Sequence, residues 1–229
     1  MTVIRLMRLP DGFNLVIFDC DGVLIDSESL AMKVYEDLFV ELGIVPPADL
    51  WAWAVGHRHT ETMAHIAETT EPAAMARLRA EVWPRIRARF ASDLQPTPGV
   101  AEFLAALEAP CCVASASDPE RIRFSLEATR LAKYFDGHMF SSHAVEHSKP
   151  APDIFLYAAA QMGVAPTASV VIEDSTAGVI AGLAAGAKVI GYLGGSHLEP
   201  GHGQRLLDLG AHAVASDWRE VAERLAALA

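Results

Sequence analysis

Residues 15–28 read LVIFDCDGVLIDSE: four apolar residues run straight into Asp19-Cys20-Asp21-Gly22. In a strand, positions i and i+2 point the same way, so both carboxylates face one spot at the strand's end. Two close anions repel, and one must hold a proton unless a cation lies between them. Three options follow: the pair binds a metal, it divides into a nucleophile and a proton carrier, or it does both. A hard cation such as Mg²⁺ suits oxygen donors and keeps waters that a substrate phosphate can displace. Gly22 lets the backbone turn away at once. Taken alone, the four residues are also compatible with a turn whose acids cap backbone amides.

Three further groups fall at equivalent places in the chain. In VVIEDSTAG, Glu173-Asp174 again ends an apolar run. That points to metal coordination, with an Asp174 N-cap for the following helix as the plainer alternative. CCVASAS ends in Ser115 and Ser117 just before a helix, where hydroxyls and helix-start amides make an anion site or a simple cap. Lys149 in EHSKPAPDIF is one of four lysines in the chain and precedes another helix. A point cation there would neutralise a bound phosphate or a charge that develops during reaction.

The elements that must position these residues alternate strand and helix. Strand-like runs are LVIFD (15–19), CCVAS (111–115), SVVIED (169–174), AKVIGY (187–192) and AHAVAS (211–216). They are continuously apolar, as strands buried on both faces of a parallel sheet are. GVAEFLAALEA, PERIRFSLEATRLAKYF, DIFLYAAAQMG and TAGVIAGLAAG read as the intervening helices. The expected fold is α/β, a doubly wound, Rossmann-like parallel sheet that binds ligands at the carboxyl ends of its strands. From about Glu28 to Ser92 the rhythm breaks into helices only, with Pro96-Thr97-Pro98-Gly99 as a stiff hinge beyond. The division expected is a core of residues 1–27 and 93–229 and an all-helical cap of residues 28–92.

Composition narrows the class. Of the 229 residues 52% are hydrophobic and 21% charged, enough apolar material for a sizeable core and too few charges for a disordered chain. A formal net charge of -11 argues against nucleic-acid or anionic-membrane binding. Cys20, Cys111 and Cys112 form no paired framework and read as reduced thiols of a cytoplasmic protein. The N-terminal MTVIRLMRLPDG is broken by Arg5 and Arg8 and resembles neither a signal peptide nor a membrane span.

DCDGVLIDSE, VASAS, SKPAPDIF and VIEDSTAGVIAGLAAG together resemble the four motifs of the haloacid dehalogenase superfamily, in order and spacing, over residues 15–192. The match is to its phosphatase-type branch with a helical cap. The resemblance implies that Asp19 is the nucleophile forming an aspartyl-phosphate and Asp21 the general acid and base. It implies Mg²⁺ held by the Asp19 carboxylate, the Asp21 carbonyl and Asp174, with Glu173 nearby. Ser115, the Ala116 amide and Lys149 would hold the phosphoryl group. In the cap, Gly56 would give the turn of a specificity loop, with Arg58 and His59 touching the leaving group. His197 and His202, in YLGGSHLEPGHG, read as exposed residues of a rim loop.

The implied activity is hydrolysis of a small phosphorylated metabolite, a sugar or polyol phosphate or a sugar-acid phosphate, by a monomer or weak homodimer. The main alternative is a β-phosphoglucomutase-like mutase. Its hinge histidine has no counterpart here, since Ala31 stands twelve residues after Asp19. A non-catalytic binding protein on the same fold is the alternative from another class.

Overall fold

The computed structural model describes residues 7–54 and 56–228, so part of the N-terminal run lies outside the described residues. Six strands, β1 (Leu15–Phe18), β2 (Cys111–Ser115), β3 (Met139–Ser141), β4 (Ser169–Glu173), β5 (Lys188–Tyr192) and β6 (Ala213–Ala215), form one sheet. All neighbours are parallel, in the order β3-β2-β1-β4-β5-β6. The order reverses at β1, so the first strand is central and its carboxyl end lies at the switch point where such sheets bind ligands.

Residues of β1 alternate between two cores. Val16 and Phe18 face one hydrophobic cluster, Leu15 and Ile17 the other. Helices α7 (Asp153–Gln161), α8 (Thr176–Ala184) and α9 (His202–Asp208) bury apolar residues in the second cluster. Helices α5 (Val100–Ala106), α6 (Pro119–Ala128) and α10 (Trp218–Ala226) cover the opposite face. The result is the doubly wound α/β architecture expected from the continuously apolar strands. Strand β3 was not expected: it is three residues long, and two of them are only half buried, so HMFSS carries little strand signal.

Between β1 and α5 the chain forms only helices: α1 (Glu28–Leu42), α2 (Leu50–Ala54), α3 (His59–Ala67) and α4 (Pro72–Asp93). In α4 the buried residues Met75, Leu78, Val82, Ile86 and Phe90 recur at intervals of three and four, one stripe of a helix. That stripe packs on Ala31, Val34, Leu38 and Phe39 of α1, whose C-terminus is closed by Gly43 in the left-handed region. The arginines of α4 lie on its opposite, solvated face, where Arg77, Arg79, Arg87 and Arg89 are exposed. Arg85 pairs with Glu41 and Glu81, and Arg89 with Asp93.

The segment joins the sheet layer through two adjacent stretches. The Asp26 amide donates to the Gln95 carbonyl (3.1 Å), and the Thr97 amide donates to the Leu24 carbonyl (3.0 Å). Buried Thr97 donates through its hydroxyl to the Val23 carbonyl (2.7 Å) and accepts from Trp218 Nε1 (2.9 Å). Among the described residues, no helix is long and apolar enough to cross a membrane.

Candidate active site

Asp19 sits one residue beyond β1, its amide still bonded to the Ile172 carbonyl of β4 (2.9 Å), so its backbone is fixed by the sheet. Lys149, from the loop after β3, is fully buried and places Nζ 2.6 Å from Asp19 Oδ1 and 2.8 Å from Glu173 Oε2. Glu173 uses its other oxygen to accept from the Ser175 hydroxyl (2.7 Å) and amide (3.2 Å). Its carboxylate lies against Gly178, where a Cβ would stand 1.9 Å from Glu173 Cδ, so α8 approaches this closely only because that residue is glycine.

Asp21 is gripped by three donors. Ser27 Oγ (2.6 Å) and Arg121 Nη2 (2.7 Å) reach its Oδ1, and Ser117 Oγ (2.6 Å) reaches Oδ2. These donors orient its carboxylate at the cavity floor and leave its backbone carbonyl outside the contact. Arg121 was not anticipated. In PERIRF it looks like any charged residue of an amphipathic helix, yet it lies in the first turn of α6 beneath the Phe90 ring, 5.4 Å from its centroid.

Asp174 is 2% exposed, and its Oδ2 receives no hydrogen bond. Asp19, Glu173 and Asp174 offer ligand atoms within 4.8 Å of one another. Gly22, at φ +76, leaves the room this requires: a Cβ there would lie 1.9 Å from Asp174 Oδ2. A buried carboxylate oxygen that no hydrogen bond satisfies, with His197 Nε2 3.3 Å away and two further carboxylates within reach, suits a hard divalent cation, and Mg²⁺ fits these oxygen ligands.

Electrostatics match this crowding. Burial, reinforced by Glu173, holds the Asp19 carboxyl well above the ordinary carboxylate range, although Lys149 opposes the shift. Burial disfavours the Lys149 ammonium, but Asp19 and Glu173 outweigh it and raise its pKa. Burial also pushes Asp21 upward, but Arg121, Ser117 and Ser27 together bring it below its usual value. Glu28, at the start of α1, is pushed up to about 7 by burial and by the nearby Asp21 charge.

These groups open into a cavity of about 100 Å³ between sheet edge and helices. Asp19, Asp21, Ser115, Ala116 and Asp174 line its floor; Gly56 and His59, with Glu28, His57, Trp51 and Trp83, line the remainder. His59 Nδ1 is 3.0 Å from the Tyr35 hydroxyl, and burial lowers its pKa, with Arg121 adding to the effect. Gly56, at φ +85, is pressed on Ser175, where a Cβ would meet Oγ at 2.5 Å.

Two expectations are corrected. Arg58 does not line the cavity: its guanidinium turns onto the Ser142–Glu146 loop and donates to the Ser142, Val145 and Glu146 carbonyls, three acceptors that converge within reach of one planar fork. His197 and His202 are not free rim residues. His197 packs its ring between Gly22 and Gly195, side chain 3% exposed, with Nε2 3.3 Å from Asp174 Oδ2. His202 Nε2 donates to the Asp174 carbonyl at 2.5 Å. Both follow β5, and every loop at the carboxyl edge of a parallel sheet converges on one place.

A family model described as haloacid dehalogenase-like hydrolase matches residues 13–186. The chain belongs to that hydrolase family. It is 31% identical over 188 residues to 6-phosphogluconate phosphatase of Escherichia coli (strain K12), covering 81% of this chain and 85% of that one. It is 32% identical over 187 residues to hexitol phosphatase B of the same organism, covering 78% and 83%. Among solved structures of the family, a hydrolase from Deinococcus radiodurans R1 with bound phosphate and sodium superposes with a TM-score of 0.74. It is 31% identical, over 96% of this chain and 100% of that one.

Proposed function

We propose that the protein is a Mg²⁺-dependent phosphatase of small phosphorylated metabolites, with sugar, polyol and sugar-acid phosphates as the substrate class. The observation that carries the reading is the fully buried Lys149 ammonium, 2.6 Å from one oxygen of Asp19 at the switch point of the sheet. Lys149 orients that carboxylate and leaves its second oxygen to attack phosphorus. As the Asp19–phosphorus bond forms and the bond to the leaving oxygen breaks, Asp21 supplies the proton that the leaving alcohol needs. Water then attacks the aspartyl-phosphate, Asp21 takes its proton, and Asp19 and phosphate are released. Ser115 and the Ala116 amide hold the transferring phosphoryl oxygens.

Asp19, Asp174 and the Asp21 carbonyl would hold Mg²⁺, and Glu173 would brace Lys149 beside them. When bound, the ion supplies charge neutralisation for the phosphoryl group. Residues 28–92 form the cap, and the rest of the chain the catalytic core. The cavity wall combines Trp51 and Trp83 with the polar Glu28, His57 and His59, which suits a hydroxylated leaving group of a few carbons. The proposed activity is cytoplasmic and belongs to a monomer or weak homodimer. The named substrates of the two curated relatives support the same class.

The test is phosphate release by purified protein across a panel of sugar, polyol and sugar-acid phosphates, with Mg²⁺ and with EDTA, beside Asp19→Asn. Release that EDTA abolishes, Mg²⁺ restores and Asp19→Asn lacks is the expected result. Release that survives either EDTA or Asp19→Asn would sink the reading.

A further inference from the structure

The segment after β3 carries Lys149; its own side of the fold holds it through His147, which bonds to Asp153, and through Val145, which packs on the second core. Residues 143–147 lie at the surface, whereas Ser142 and Ser148, at the two ends of the loop, are buried. A residue of α3 or its N-cap grips each buried end. Arg58 Nε donates to Ser142 Oγ (3.1 Å), and Nη2 donates to the Ser142 carbonyl (2.5 Å) and the Val145 carbonyl (3.0 Å). Nη1 donates to the Glu146 carbonyl (3.3 Å). One guanidinium thus gathers three carbonyls of a single turn, and no carboxylate among the described residues pairs with it.

At the far end, Glu61 Oε1 accepts from the hydroxyl of Ser148, the residue before Lys149, at 2.5 Å. Glu61 Oε2 accepts from the Arg58 amide (3.0 Å), so the two gripping residues are themselves joined. The grip extends inward as well. Ser142 Oγ donates to the carbonyl of Ala116 (3.3 Å), and Ser141 Oγ donates to that of Ser117 (2.7 Å). Those are the phosphate-binding turn and the residue that holds Asp21.

We infer that Arg58 and Glu61 form a clasp by which the seated cap fixes the Ser142–Lys149 loop, and through it sets Lys149 against Asp19. Both are positioning residues: neither touches the cavity floor, and their effect reaches the nucleophile through the loop. What Lys149 does once positioned rests on the hydrolase reading above. Seating the cap and completing the charge environment of Asp19 thereby become one event. A donor with no affinity for the cap wall still depends on it, because the loop, not the leaving group, is what the clasp holds.

The experiment compares wild type with Arg58→Ala, Arg58→Lys and Glu61→Gln on two phosphoryl donors in Mg²⁺. One is a sugar phosphate cleaved by wild type, the other acetyl phosphate, whose leaving group is too small to span the cavity. The clasp predicts that kcat falls about 10- to 100-fold on both donors, the scale set by misplacing a reacting group by about 1 Å. KM should stay within about threefold, and Arg58→Lys should recover part of the loss. A loss confined to the sugar phosphate, or seen only in KM, would overturn it and return Arg58 to leaving-group binding.

A second measurement does not depend on catalysis. Spin labels at Val40→Cys in α1 and Leu156→Cys in α7, both exposed sites, report the distance between cap and core. Longer or broader distances in Arg58→Ala and Glu61→Gln than in wild type support the clasp; unchanged distributions overturn it. If wild type cleaves neither donor, the hydrolase reading fails, and the label distances alone decide the clasp.

Discussion

Replacing Lys149 by Met is the sharpest probe of this site, because the side chain keeps most of its length and its apolar character and loses the ammonium, with its charge and its two hydrogen bonds. Two carboxylates then face each other across the space the ammonium filled. At an effective dielectric near 20, each of the contacts at 2.6 and 2.8 Å corresponds to about 6 kcal/mol of attraction. Desolvation of the three buried groups takes back several kcal/mol per ion. The net cost of breaking such a pair by removing one partner is about 3–5 kcal/mol of folding stability. Urea denaturation at neutral pH should show a loss of that size. Phosphate release should fall about 10²- to 10³-fold, the usual effect of deleting one charge-stabilising donor.

The decisive variant is the double one, Lys149→Met with Glu173→Gln. Glu173 no longer carries an uncompensated charge there, so the double variant should be more stable than the sum of the singles by at least about 1 kcal/mol. It should remain as inactive as Lys149→Met. A single variant that loses less than about 1 kcal/mol, or two changes that simply add, would show that Lys149 does not compensate the buried acids.

Gly178→Ala should lose about 2 kcal/mol in denaturant melts although alanine is the better helix former, because the new Cβ meets the Glu173 carboxylate. A more stable variant would contradict the packing described. Thr97→Val leaves the Trp218 indole N–H and the Val23 carbonyl without their buried partner and should cost about 1–3 kcal/mol; a change near zero would exclude that hydroxyl from a structural role. The Asp49 hydrogen bond raises the half-buried His65 above 6.5, so this pair stabilises the fold fully below pH 6.5 and loses its contribution as pH rises through the raised value. The melting-temperature gap between wild type and Asp49→Asn should therefore narrow from pH 5 to pH 8, and a gap that widens would be the wrong sign.

The sequence spelled out the parts of this site that obey local rules. Asp19, Ser115 and Glu173-Asp174 end apolar strands, and strand ends of a parallel sheet share one edge, so their convergence follows from pattern alone. Lys149 was legible for the same reason, although the short β3 that positions it was not. Arg121 escaped because its role depends on two contacts from distant elements, Asp21 across the sheet edge and Phe90 from α4, which no spacing announces. Arg58 was placed in the right loop but on the wrong side of it. Sequence locates the turn at Gly56, and the direction of the next side chain depends on carbonyls 84 to 88 residues away. His197 had a usable signal in retrospect, since its loop follows β5 at the edge where the other functional groups lie.

The pairing of Asp26 with Gln95, and of Leu24 with Thr97, means that the helical segment leaves and re-enters the core through two neighbouring backbones. To the sheet, everything between those points is a loop whose ends already touch, so its length and content add little to the entropy of closing it. Such an attachment behaves as a socket. The segment can be lengthened, shortened or exchanged while the strands keep Asp19 and Asp174 in place, provided the exchange retains the Arg58 and Glu61 contacts that set Lys149. The residues of the segment that face the cavity can then vary separately from those at the sheet edge, the two being joined by the narrow ribbon and by the Arg58 and Glu61 contacts on the far side.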